Sequence, residues 1–179
     1  MKVRAVVVTK TFGTRGAVWL LTAIFSLCAI AALADEPTRG PVTNLPLPRF
    51  VSMKTDTGNV RRGPSLTHRV DWVFKLEDMP LEVTAEYGNW RRVRDIEGVG
   101  GWMHYSLLSG VRTVMVQKDY TPLRMRPDPA AEPNAYAEQG VVAFLGDCTL
   151  DWCRIRADGF RGWVMKSELW GVGTDEVRN

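Results

Sequence analysis

The sequence predicts an all-β protein made of two tandem copies of one small domain, and three observations predict it. A pattern occurs twice: Trp90-Arg91-Arg92-Val93-Arg94, Gly101-Trp102-Met103 and Ser106-Leu107-Leu108, then Trp152-Cys153-Arg154-Ile155-Arg156, Gly162-Trp163-Val164 and Ser167-Glu168-Leu169. The Trp pairs 90/152 and 102/163 are offset by 62 and 61 residues, a period that marks a repeated domain. Short runs of alternating apolar and polar residues, bounded by Gly, Pro, Asn and Asp, read as strands. No segment beyond residue 34 keeps a helical period long enough for a bundle.

The elements follow in chain order. Lys2, Arg4, Lys10 and Arg15 form a basic start without acidic residues, and Gly16 to Ala34 is an uncharged, mostly apolar run ending in Ala32-Leu33-Ala34. That layout predicts a signal peptide over residues 1–34, cleaved after Ala34; the rival reading is an uncleaved membrane anchor. Cys28, preceded by the bulky Phe25 and Leu27, is a poor lipoprotein site. Pro37, Pro41, Pro46 and Pro48 then predict a semi-rigid, extended linker over 35–48.

The first domain is expected over 49–110. Its strands are Phe50–Met53, Asn59–Arg61 (stopped by Gly63-Pro64), Val70–Phe74, Pro80–Ala85, Trp90–Arg94 and Trp102-Met103, and Ser106–Leu108 makes a single helical turn. The second domain, 111–173, repeats that order. Val111–Val116 opens it, Leu123–Pro127 corresponds to Val60–Pro64, and Gly140–Leu145 corresponds to the strand around Leu81 and Val83. Tyr120–Ala137, rich in Pro and Ala, is expected as loop, and 174–179 as a tail. Only Leu108–Val111 separates the copies. Each has about 60 residues, marginal for a stand-alone core, so packing one copy on the other would help both.

The chain holds 23 basic and 20 acidic residues, and removing the first 34 leaves 19 against 20. A strong positive field for nucleic acid is therefore not expected. Cys148 and Cys153 flank a turn at Thr149-Leu150-Asp151, and in an exported protein that reads as a disulfide across a hairpin, contributing about 2 kcal/mol. The C-x-x-C spacing of a redox pair is absent. His68 and His104 lie far from the cysteines in sequence, so no metal site is expected.

At Asn59–Pro64, the Trp-x-Arg-Val segments and the Gly-Trp-Met/Val pieces followed by Ser-x-Leu, the chain resembles the bacterial SH3-like family. It is most similar to the exported tandem form, with Pro48–Ser52 before the first domain and Leu169–Val172 after the second. The second copy departs from the pattern at Pro122-Leu123-Arg124 and at Arg126. The resemblance covers roughly residues 48–173. It implies small five- or six-stranded, partly open SH3-like barrels used as binding or targeting modules in the cell envelope.

Strand alternation points Val93, Ile155, Met103 and Val164 inward. It points Trp90, Arg92, Arg94 and Trp102 outward in the first copy, and Trp152, Arg154, Arg156 and Trp163 in the second. These eight are the candidate ligand residues: an indole can hold a sugar ring while Arg grips a carboxylate, and peptidoglycan offers both. The competing reading has the Trp rings closing the barrel rims or packing between copies. Trp72, Phe74 and Trp170 read as core or interdomain packing, His104 and Tyr105 as rim, and Arg61 and Arg124 as structural ion-pair partners. Binding of PxxP peptides is not expected, because Leu107 and Glu168 stand where a groove Tyr is needed.

The expected function is a non-catalytic envelope-binding module for peptidoglycan or a wall-associated protein, exported to the periplasm or beyond; the alternative is a periplasmic assembly adaptor without a wall ligand. No catalytic residue or cofactor is expected, because no nucleophile–base pair, acid pair or phosphate loop stands out. Membrane attachment would require the first segment to stay uncleaved.

Overall fold

Among the described residues, fourteen strands and two 3-10 turns follow the repeat, in two seven-stranded antiparallel sheets. The computed structural model describes residues 38–179, which form one compact unit. The signal-peptide and anchor readings and the start of the linker lie outside the described residues.

The first copy comprises β1 (Arg49–Met53), β2 (Gly58–Arg61), β3 (Val70–Phe74), β4 (Pro80–Tyr87), β5 (Trp90–Arg94), β6 (Gly100–His104), a 3-10 turn (Tyr105–Leu107) and β7 (Leu108–Ser109). The second repeats it as β8 (Thr113–Val116), β9 (Thr121–Arg124), β10 (Pro133–Ala137), β11 (Val142–Cys148), β12 (Trp152–Ala157), β13 (Phe160–Met165), a 3-10 turn (Lys166–Glu168) and β14 (Leu169–Trp170). Strand order is β3-β2-β6-β5-β4-β1-β7 in one sheet and β10-β9-β13-β12-β11-β8-β14 in the other, the same path twice. Neither sheet closes into a barrel. Each exceeds the expected five or six strands through the two-residue β7 and β14.

The inward line is as alternation predicts. Met53, Val60, Leu81, Val83, Val93 and Met103 form the first core, and Val114, Val116, Leu123, Ile155, Val164 and Leu169 form the second. The glycine of each Gly-Trp motif is fixed by a close strand crossing. A Cβ on Gly101 would lie 2.6 Å from the Arg61 carbonyl oxygen, and one on Gly162 would lie 2.6 Å from the Leu123 carbonyl carbon. A side chain there would force β6 away from β2, or β13 away from β9.

Three expectations are corrected. Residues 38–48 are not an extended spacer. Arg39 bridges Pro46, and Gly40 N donates to Leu45 O at 2.8 Å. This small turn docks on β4, where Glu86 accepts from the Val42 and Thr43 amides and the Thr43 hydroxyl. A buried carboxylate, invisible to a proline count, pulls the segment in. Tyr120–Ala137 is not all loop: β9 and β10 lie within it, and Pro133 opens the edge strand β10, where a missing N–H costs little. Trp72 is not core. Phe74 is buried, but Trp72 lies on the edge strand β3 and stays 52% exposed because no strand covers that margin.

The copies meet through groups outside the repeated motif. Ser52 on β1 and Thr113 on β8 are buried, with their hydroxyls 2.6 Å apart. Ser52 Oγ also reaches Val111 O at 2.7 Å, and Thr113 Oγ1 reaches Asp78 O at 2.6 Å. Phe50 stands edge-on to Trp170 at 5.3 Å, and Arg112 lies over the Phe50 ring while pairing with Glu176. Trp170 thus packs between domains, as expected.

Candidate functional site

Cross-strand register assembles the outward face. In the first copy Arg61, Trp102 and Arg92 line up across β2, β6 and β5. In the second, Arg124, Trp163 and Arg154 line up across β9, β13 and β12. Residues opposite one another on antiparallel strands share a face, so each copy presents an Arg-Trp-Arg row. Trp102 and Trp163 are half-buried, Arg92 is exposed, and Arg154 is half-exposed. Among the described residues, no acid pairs with Arg61 or Arg124. Arg61 Nη1 donates to the Leu66 and His68 carbonyls at 3.0 and 2.7 Å, and Arg124 Nη1 to Ala131 O at 2.7 Å. The expected structural ion pair is corrected: both guanidinium groups instead hold loop carbonyls.

The other pair of tryptophans diverges. Trp90 is half-buried, edge-on to His104 at 5.4 Å, and His104 lies 4.9 Å from Tyr105. His104 also caps the 3-10 turn through Nδ1, 2.7 Å from Ser106 Oγ. Trp152, expected outward, is only 8% exposed. It forms part of the wall of a cleft of about 640 Å³ with Gln117, Pro129, Leu150, Met165 and Val172. The residues after β14 hold that cleft's side: Lys166 Nζ donates to Thr174 O and Glu176 O at 3.1 and 2.6 Å.

A second row shares the outer face. Glu82, Arg94 and Gly100 stand opposite one another across β4, β5 and β6. Phe144, Arg156 and Arg161 take the same places across β11, β12 and β13. Glu82 and Arg94 form a direct ion pair that raises the Arg94 pKa, chiefly through the side-chain hydrogen bond. In the second copy Arg156 lies over the Phe144 ring at 5.1 Å, so this contact, rather than Arg on Trp, is the face's cation–π pair. Beside each row a strand bulge opens a groove. The first, about 320 Å³, is lined by Thr84, Arg92, Arg94 and Gly100. The second, about 350 Å³, is lined by Phe144, Asp147, Arg154, Arg156 and Arg161. Phe144 and Arg161 escaped sequence reasoning. The tight Asp158-Gly159 turn, which sets Arg161 opposite Arg156, is the signal that could have found Arg161.

Inward, where the other matched core positions are apolar in both copies, one pair differs in chemistry. Cys148 and Cys153 are bonded across β11 and β12, with Cα atoms 4.1 Å apart, as the hairpin spacing predicted. The corresponding positions are Glu86 and Arg91, opposite each other across β4 and β5. Glu86 has no exposed side-chain area and meets Arg49 at 2.7 Å and Arg91 at 3.5 Å. Burial alone would raise its pKa. The Thr43 hydroxyl and amide, Arg49 and the Val42 amide outweigh that and hold it at about 2. Among the described residues no cluster of His, Cys, Asp and Glu is suited to hold a metal.

The family model of the bacterial SH3 domain matches residues 54–110 and 117–171. Similar solved structures include NlpC2 from Trichomonas vaginalis, at 15% identity and TM-score 0.33, covering 69% of this chain and 48% of that one. NlpC1 from the same organism is similar at 13% identity and TM-score 0.33, covering 73% and 48%. The chain spans about half the length of these two proteins. No curated protein matches it.

Proposed function

Because the chain belongs to the bacterial SH3 domain family, whose members are often cell-wall binding modules, we propose that it is a non-catalytic envelope module that binds peptidoglycan through its outer Arg-Trp face. The observation that carries this reading is the repetition of the face. Two copies that differ at many positions keep the same aromatic beside the same arginine, Trp102 with Arg92 and Trp163 with Arg154. A half-buried indole offers a flat apolar surface for a sugar ring, and an adjacent guanidinium can take a peptide or lactyl carboxylate in a bidentate pair. The proposal includes export, which suits a Cys148–Cys153 disulfide.

Retention of the purified chain on isolated sacculi at low salt is the test. Wild type is expected to be retained, and R92A/R154A to lose about a hundredfold in affinity, the loss of two charge-assisted contacts. Absence of retention, or retention unchanged in the double variant, would overturn wall binding through this face.

A second reading, an assembly adaptor, is favoured by Trp72 and Val73, which are 52% and 45% exposed on the edge strand β3. Open strand edges carrying apolar side chains invite pairing with another chain. Light scattering decides it: a concentration-dependent increase in mass that W72S removes supports the adaptor, and a monomer at all concentrations excludes self-assembly through this edge.

A further inference from the structure

We propose that the second copy alone carries a phosphate-binding site, in the groove formed by Phe144, Arg154, Arg156 and Arg161. The inference deepens the binding-module reading, from which it takes only the outer face as the ligand face.

The two copies place different charges on one scaffold. In the first, Glu82 cancels Arg94, and the third position is Gly100. A Cβ there would run into the Val93 carbonyl oxygen, so an arginine is barred from that position. In the second, Phe144 replaces the acid, and Arg161 stands directly opposite Arg156. Like charges opposite each other on paired strands destabilise a sheet. No acid among the described residues forms an ion pair with Arg156 or Arg161, and Arg154 has only Asp147 at 4.0 Å. The groove therefore holds two uncompensated positive charges with a third loosely neutralised.

That charge count selects the ligand. A single carboxylate would leave one guanidinium unpaired, whereas a phosphate group carries up to two charges and three acceptor oxygens. Guanidinium forks on neighbouring strands can share such a tetrahedral group. Phe144 orients Arg156 from below through the ring contact and offers an apolar wall to the body that bears the phosphate. The groove lies on the opposite surface of β11 and β12 from the inward disulfide, so changes in it leave the staple intact.

The test is titration of the full chain with inorganic phosphate, and separately with acetate at equal ionic strength, at about pH 8, where a phosphate group is a dianion, followed by amide NMR shifts. Saturable shifts confined to residues 142–147 and 154–162, with phosphate binding tighter than acetate, are expected. Phe144→Glu installs the acid of the first copy, and Arg161→Gln removes one charge at an exposed position. Each is expected to weaken phosphate binding roughly tenfold without lowering the thermal midpoint, which Arg161→Gln raises by relieving repulsion from Arg156. Acetate binding as tightly as phosphate, or phosphate binding unchanged in F144E, overturns the assignment. Glucose 6-phosphate and phosphatidic-acid vesicles separate a soluble source from a lipid one. Binding to either sustains the phosphate site, and binding to neither overturns it. Sacculi are absent from this assay, so its failure is distinct from failure of wall retention.

Discussion

The turn between the two central strands is braced differently in the two copies. In the first, Glu86 and Arg91 face each other inward, and Glu86 gathers Arg49, Thr43 and the Val42 amide. In the second, the same two positions are a disulfide, and Cys148 also exchanges backbone hydrogen bonds with Arg178. Both copies thus tie a terminal segment to the same point of the fold, one through a buried carboxylate and one through the main chain beside a covalent link. One geometric demand, pinning the end of a long bulged strand, is met by chemistry that answers to protons in one copy and to reductant in the other.

The largest way to break this comparison is to remove the carboxylate. E86A leaves Arg49 and Arg91 without their acid in a buried setting and is expected to cost about 3–5 kcal/mol, read as a fall in the denaturant midpoint. The pH dependence has a definite sign. Glu86 is held at about 2 rather than 4.5, so its contribution is complete above about pH 4.5 and drains away as pH falls towards 2. E86Q is expected to flatten that stretch of the stability profile, and an unchanged acid limb would show that other groups drive it. Next in size is C148A/C153A, expected to cost about 2 kcal/mol by loss of a short loop closure, with the acid limb of the wild type retained. The smallest effects belong to the outer row. R94A and R156A are each expected to cost about 0.5–1 kcal/mol: the cost of R94A, which breaks the pair between an exposed guanidinium and a largely buried Glu82, falls as salt rises, whereas that of R156A, which loses a ring contact but relieves repulsion from Arg161, does not fall. Equal salt dependence would remove the distinction between Glu82 and Phe144.

Much of the fold was legible because its signals are local. Alternation alone placed Val93, Ile155, Met103 and Val164 inside, and the spacing of Cys148 and Cys153 around a turn announced their bond. What escaped notice is long-range or irregular. Glu86 meets Thr43 across 43 residues and Arg49 across 37, and nothing nearby in sequence marks that meeting. The same alternation that sent Val93 inward also sent Arg91 there; aligning the copies would have set Glu86 and Arg91 on the two cysteines. The bulges beside Arg92 and Arg154 break the alternation itself: inward positions step from Val83 to Glu86 and from Leu145 to Cys148, three residues rather than two, so a strict period of two loses Glu86. Trp152 sits in a cleft wall built from segments distant in sequence, from Gln117 and Pro129 to Val172 and Thr174, which strand alternation does not register.

The buried hydroxyls of Ser52 and Thr113 have a bearing on cooperativity. Separating the copies would break the buried Ser52–Thr113 hydrogen bond and uncover Phe50 and Trp170 to water together, so neither copy can open without penalising its neighbour. The pair is expected to melt as a single calorimetric unit. Acid acting on one staple, or reductant acting on the other, then lowers one shared transition rather than splitting it into two.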